Sequence, residues 1–379
     1  MHKTLFCLSL IFFITSCKKK VKEIKPISVL QEVAASTDSI LNIPLSNPEK
    51  YKIQILFSRV YEKKDGSILF EKEDLGLNNS NYFYPASTVK LPIALLALEK
   101  IQKSSYSYTT PFFVEGDSMT TTIKDEINKI FAVSDNEAFN RLFEYLGTDY
   151  INKQLQEKKL TPSRICHRLS VNNADDRVSK AVIFTNDEDT LFNSGTQINN
   201  QVQRLNLKNT EIGIAYYDDE DLIEEPKNFN QKNYYSLVAM HKTLQKLFYP
   251  EAFSGEENFN LNNEHLDFIK QSMSDLPRTM GYDEVTYHDS YVKFFIYGDQ
   301  KERIPEHIKI YNKVGMAYGF LIDNAYIHDE LNDIKFFLTA TIYVNENNTL
   351  NDDHYEYDEI GFPFLARLGR AVYEYELKK

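Results

Sequence analysis

The sequence predicts a mixed α/β fold of the α+β kind: an antiparallel sheet flanked by helices, with a helical subdomain inserted into it. Three observations carry this. Strand-like segments stand at both ends of the folded body, a polar stretch of helical period fills the middle, and one helix near residue 90 is apolar nearly all round.

The first element is a leader. His2 and Lys3 precede an apolar run, Leu5 to Ile14, and then Thr15-Ser16-Cys17. A basic start, an apolar stretch of about ten residues and small residues before a cut site describe an exported segment. The run is shorter than the roughly 20 apolar residues a membrane span needs. Ile14-Thr15-Ser16-Cys17 resembles a bacterial lipobox, in which the Cys is lipidated and becomes the new N-terminus; a plain secretory leader with a chance Cys is the alternative. Residues 1–16 are thus expected to be a signal peptide and 17–48 a tether with short amphipathic stretches such as Ile27 to Val33. The expected location is the bacterial envelope, lipid-anchored to a membrane and facing the periplasm or cell surface. Cleavage at Cys17 removes Cys7, which leaves Cys166 without a disulfide partner. Cys166 reads as a small buried hydrophobe rather than a nucleophile.

The folded body is expected over 49–379. Tyr51 to Val60 places Ile53, Ile55 and Phe57 on one face of a strand. Lys64-Asp65-Gly66 is a turn signal, and Ser67 to Phe70 can return as a second strand. The helix after Ser87 carries Val89, Leu91, Ile93 and then Ala94 to Leu98, so it has no polar face and must be buried. Pro92 is tolerable near its start. The helical subdomain spans about 105–290. Ile123 to Val133, Asn136 to Leu146 and Tyr235 to Phe248 have helical periods. Residues 171–230, rich in Asn and Asp, read as an insertion whose run Asp218-Asp219-Glu220-Asp221 is a solvated face rather than a cation site. Ile308 to Lys313, Gly319 to His328 and Ile334 to Val344 read as strands, and Asp358 to Leu377 as a closing helix.

Composition excludes some functions. The chain has 379 residues, 42% hydrophobic and 26% charged, a globular balance. Its net charge is −12, and no long basic tract lies outside the N-terminus, which argues against a nucleic-acid partner. The eight His residues show no His-x-x-x-His or His-Glu pattern and no Cys pair exists, so neither a metal nor a cofactor is expected. The glycines form no phosphate loop.

Ser87 and Lys90 form Ser-x-x-Lys at a predicted helix start, one turn apart on one face. Such a Lys can take the Ser proton if burial and nearby positive charge lower its pKa. The helix N-terminus favours developing negative charge. Ser16 to Lys19 and Ser290 to Lys293 repeat the pattern; only Ser87 opens the helix that must be buried. Ser134-Asp135-Asn136 occurs once, between two helical segments, where Ser134 or Asp135 could equally be an N-cap. Lys313-Val314-Gly315 ends a predicted strand. Lys-x-Gly alone says little, since Lys64-Asp65-Gly66 matches too.

In this order and setting, the three motifs resemble those of the class A β-lactamase and penicillin-binding protein superfamily, over residues 50 to 379. The resemblance implies a β-lactamase/transpeptidase-like fold and a covalent acyl-enzyme. Ser87 would be the acylated nucleophile and Lys90 its proton acceptor or activator. Ser134 would relay the proton to the leaving nitrogen. Asn136 would bind the substrate amide and orient Lys90. Lys313 would supply positive charge near a substrate carboxylate, and Gly315, two residues on, would also belong to the substrate-binding residues. The backbone N–H groups of Ser87 and Met316 would form the oxyanion hole.

Two departures stand out. Val314 lies where the family has Thr or Ser, which removes a hydroxyl that helps hold a carboxylate. The stretch matching the family's deacylating Glu, Arg164 to Asp176, holds no Glu; Asn173 falls near that position, with Asp175 and Asp176 close by. The expected activity is opening of a β-lactam or related amide or ester. The alternatives are a penicillin-binding D,D-peptidase or esterase with slow deacylation, and a catalytically silent binding protein reusing the fold. The expected partners are a small-molecule or cell-wall peptide substrate and, through the acyl anchor, a lipid bilayer. The protein is expected to be a monomer.

Overall fold

A computed structural model describes residues 28–186 and 189–379. The expected signal peptide and Cys17 lie outside the described residues. Five antiparallel strands form the central sheet: β1 (Gln54–Glu62), β2 (Ile68–Leu75), β3 (Ile308–Ala317), β4 (Phe320–Asp329) and β5 (Ile334–Tyr343). Their order across the sheet is β3-β4-β5-β1-β2. The chain therefore lays down one hairpin, leaves for more than 200 residues, and returns to complete the sheet. β3 and β2 are its edges.

Both faces are covered, so the strands do not show a simple apolar alternation. In β1, Ile55 and Phe57 enter one cluster and Leu56 the other. The first cluster is closed by α9 (Phe362–Leu377) through Phe364, Leu365 and Leu368. The second packs under α3 (Lys90–Ile101), where every residue except Lys100 is buried. α4 (Ile123–Val133), α5 (Asn136–Leu146) and α6 (Thr148–Glu157) surround α3, while α7 (Leu237–Phe248) lies on the sheet and α8 (Asn263–Ser274) on β3.

From Ser28 on, the stretch expected to be a tether with short amphipathic pieces is part of the folded body. There the chain forms α1 (Val29–Ala34) and α2 (Ser39–Leu45), packed on α9. Val29, Leu30, Val33 and Leu41 are buried there. A capping box between Ser28 and Gln31 starts α1. Asp38 caps α2 and pairs with Arg367 of α9 at 2.5 Å.

Within 171–230 the chain makes short hairpins. Val182–Asn186 joins Phe112–Val114, and the acidic run is the exposed tip of a hairpin pairing Asp218 with Asp221. Cys166 is half-buried rather than buried; it donates to the Gln231 carbonyl, and desolvation raises its thiol to about 12, which disfavours the thiolate.

One buried histidine couples the sheet to pH. His241 of α7 meets Ser58 Oγ at 2.7 Å and Thr339 Oγ1 at 2.8 Å, and burial pushes it down to about 3. Its unfolded value is about 6.5. The unfolded chain therefore binds a proton that the native state refuses. The resulting stability is present above pH 6.5 and is lost as pH falls toward 3. Between pH 6.5 and 5 this contributes a loss of about 2 kcal/mol. Denaturant titrations at both pH values should show wild type losing about 2 kcal/mol more than His241→Gln, in which other buried histidines such as His167, lowered to about 4, still contribute; an equal loss in both would disprove the assignment.

Candidate active site

Ser87 sits in a 3-10 turn, Ala86–Val89, that runs directly into α3. The sequence placed it on the helix itself; the difference is one turn of tighter winding. Ala86 has φ +47, and the Pro85 carbonyl accepts from Thr88 N at 3.1 Å and Thr88 Oγ1 at 2.6 Å. β3 passes close by. A Cβ on Gly315 would stand 2.7 Å from the Pro85 carbonyl oxygen and 3.2 Å from Ala86 Cβ. Gly315 is thus the residue that lets the edge strand approach the serine turn.

Lys90 opens α3, fully buried beneath Ser87. Its Nζ donates to Ser87 Oγ at 2.9 Å and Asn136 Oδ1 at 2.6 Å, and also to the Ser134 carbonyl. Ser134 Oγ lies 3.3 Å away. Burial lowers the amine to about 7, and Asp135 partly opposes the shift.

The Ser134–Asn136 turn resolves the two readings of that motif. Asp135 is the N-cap of α5, accepting from Ala138 N at 2.8 Å. Ser134 ends α4 in the left-handed region, φ +58, and its hydroxyl is free to face the site. The cap and the site share one turn. Asn136 reaches Lys90 with its oxygen and Ser170 Oγ with its nitrogen, the latter at 2.9 Å.

Lys313 extends from β3, its Nζ 2.8 Å from Ser134 Oγ and 3.1 Å from the Val314 carbonyl. Burial drives its pKa well down, and the nearby Lys90 adds to that. Ser87, Lys90, Ser134, Asn136 and Lys313 therefore form one hydrogen-bonded set. Ser87, Ser134, Asn136, Val314 and Met316 line a cavity of about 890 Å³ that continues along the 287–301 segment to Phe362. A serine facing a buried amine that titrates near neutrality can surrender its proton at pH 7.

Some contributors escaped sequence reasoning. Lys293 had looked like part of a chance Ser-x-x-Lys match. It is fully buried and donates to the carbonyls of Met273 and Ile310 and to Asn312 Oδ1, at 2.6, 2.9 and 2.8 Å. Asn312 Nδ2 in turn donates to Asp323 Oδ1 at 2.8 Å, while Asp323 Oδ2 accepts from Phe294 and Phe295 N. This network ties the cavity's 292–295 wall to the sheet. Burial raises Asp323 to about 6 and lowers Lys293 to about 8. Ser290 donates to the Gln300 carbonyl, a purely local contact.

The acids near the expected deacylation position are turned to other work. Asp175 pairs with Lys232, and Asp176 accepts from Val178 N at 2.9 Å. Neither lines the Ser87 cavity. The residue of this stretch that touches the Ser87–Lys90–Asn136 set is Ser170, through Asn136. Among the described residues, no group of three or more His, Cys, Asp or Glu could hold a metal ion.

The fold is that of β-lactamases and penicillin-binding proteins. A class A β-lactamase from Bacteroides cellulosilyticus matches with a TM-score of 0.52 at 12% identity, covering 93% of this chain and 98% of that one. A β-lactamase from Xanthomonas campestris gives 0.53 at 13%, with 92% and 98% covered. The penicillin-binding protein PBP-A gives 0.52 at 13%, with 93% and 95% covered. The chain belongs to the β-lactamase enzyme family, whose family model matches residues 52–375. Among curated proteins no sequence matches the chain.

Proposed function

We propose that this protein is a serine acyl-transfer enzyme that opens an amide or ester, β-lactams included, through a covalent intermediate on Ser87. The observation that carries the reading is the proton path Ser87 Oγ–Lys90 Nζ–Ser134 Oγ, with steps of 2.9 and 3.3 Å. In acylation Ser87 Oγ bonds to the substrate carbonyl carbon and its proton passes to Lys90. The carbonyl oxygen takes the negative charge, facing the N–H groups of Ser87 and Met316. Collapse breaks the bond to the leaving atom, which takes the Ser134 proton; Lys90 then reprotonates Ser134. Asn136 fixes Lys90 and offers an amide to the substrate. Lys313 holds the Ser134 hydroxyl in line.

The missing carboxylate favours one variant of this function, slow deacylation, as in a penicillin-binding peptidase or esterase. A fluorescent penicillin and an activated ester, each with wild type and Ser87→Ala, test the proposal. Covalent label on wild type and none on Ser87→Ala is the expected result. Equal labelling of both would remove Ser87 as nucleophile, and no label from either reagent would favour a silent binding protein.

The leader, with its Ile14-Thr15-Ser16-Cys17 run, supports anchoring of the protein in the bacterial envelope by an acyl chain on Cys17. Cys17→Ser should then move the protein from the membrane to the soluble fraction. An unchanged distribution would reject the anchor.

A further inference from the structure

The cavity has two unlike walls. Side chains alternate along β3. Lys313 and Gly315 turn toward Ser134 and the Ala86–Val89 turn. Asn312, Val314 and Met316 fall on the other side, and Asn312 Nδ2 donates to the Val292 carbonyl at 2.9 Å. Val314 shares a packed cluster with Val292 and Phe294, and these three line the cavity together with Met316, Phe362 and Pro363. These six give this side of the cavity an apolar patch, bordered by Ser290, Gln300 and Lys301.

A carboxylate placed there would need donors or a cation. Val314 offers no side-chain donor. Lys313 is buried and its Nζ is engaged by Ser134 and a carbonyl. Lys293 has three acceptors of its own behind the wall. Among the described residues that line the cavity there is no arginine, and Lys301 is an exposed residue on it. An anion seated against Val292, Phe294, Val314, Met316, Phe362 and Pro363 would lose water with no side-chain donor from them in return, whereas an alkyl or aryl group would lose nothing.

We propose that this wall is an apolar leaving-group subsite, so that Ser87 reacts faster with esters and amides whose leaving group is uncharged and apolar than with those, penicillins among them, whose leaving group carries a carboxylate. The proposal rests on the acyl-transfer reading above, in which Ser134, lining the same cavity as Val314, protonates the leaving atom. With an ester, the Ser87 Oγ–acyl bond forms and the bond to the leaving oxygen breaks. That oxygen takes the Ser134 proton and departs as a neutral alcohol along Val314.

Two ester series with one common acyl group test this. One carries straight-chain alcohols of rising length, the other hydroxy acids of the same lengths. Acylation of Ser87 is followed by mass spectrometry. In the neutral series the second-order acylation rate should rise about fourfold per methylene until the wall is covered. The carboxylate series should be at least tenfold slower. Val314→Thr, nearly the same size, should narrow that gap by about tenfold or more, because its hydroxyl can donate to the anion. Non-reactive ether analogues, titrated calorimetrically into Ser87→Ala, should bind in the same order.

Carboxylate analogues that bind Ser87→Ala as tightly as neutral ones would overturn the proposal. So would a gap unmoved by Val314→Thr. Failure of the acyl-transfer reading looks different: no ester acylates wild type, while neutral analogues still bind Ser87→Ala more tightly than acidic ones.

Discussion

Replacing Lys90 with Met should slow acylation by about 10³-fold, the scale of a lost general base in a positioned site. Met keeps the buried chain length, so the fold should survive, and it removes the amine within hydrogen-bond reach of both Ser87 and Ser134. The pH profile is the sharper measurement. Lys90 must be neutral to accept the Ser87 proton, and burial lowers it to about 7. Acylation should therefore rise about tenfold per pH unit below 7 and level off above it. Lys90→Arg stays charged and should show no such plateau. A flat wild-type profile between pH 5 and 9 would exclude Lys90 as the base.

The second large effect concerns release. Wild-type acyl-enzyme should persist, because no carboxylate of the 164–176 stretch faces the site. Ser170 is the place to supply one. It lies 2.9 Å from Asn136 Nδ2, and the same Asn136 holds Lys90 at 2.6 Å. Ser170→Glu should speed deacylation by about 10²-fold while leaving acylation within a few-fold, as expected of an added general base. Ser170→Gln adds the same bulk without a base and should not. Stopped-flow acylation followed by mass spectrometry of the decaying adduct separates the two steps. Fast release by wild type would mean that another group activates water.

Much of this was legible in the sequence because it was local. The α4 and α5 boundaries fall where helical period and polar caps put them. The apolar stretch after Ser87 could only be a buried helix. β2 was read too short: beyond Phe70 it carries Glu71, Lys72, Glu73 and Asp74, the charges of an exposed edge strand, yet pairs with β1 as far as Leu75. The helices before residue 48 looked like tether because their few apolar residues make sense only against α9. The Lys293–Asn312–Asp323 network was hidden for a similar reason. Its members lie 11 to 30 positions apart, and nothing local distinguishes a buried Lys from a surface one. The role of Ser170 likewise depends on Asn136 reaching it across 34 residues.

The sheet's two edges give the molecule a direction. The described chain begins at Ser28, and Leu30 N donates to Glu73 on β2 at 2.9 Å. Ser87 opens beside β3 at the opposite edge. Four strand spacings, about 19 Å, lie between them. The start of the described chain and the Ser87 cavity therefore lie at opposite edges of the sheet. Surface immobilisation through that end should leave Ser87 as reachable as it is in free solution, whereas a bulky group on Met316 should block it.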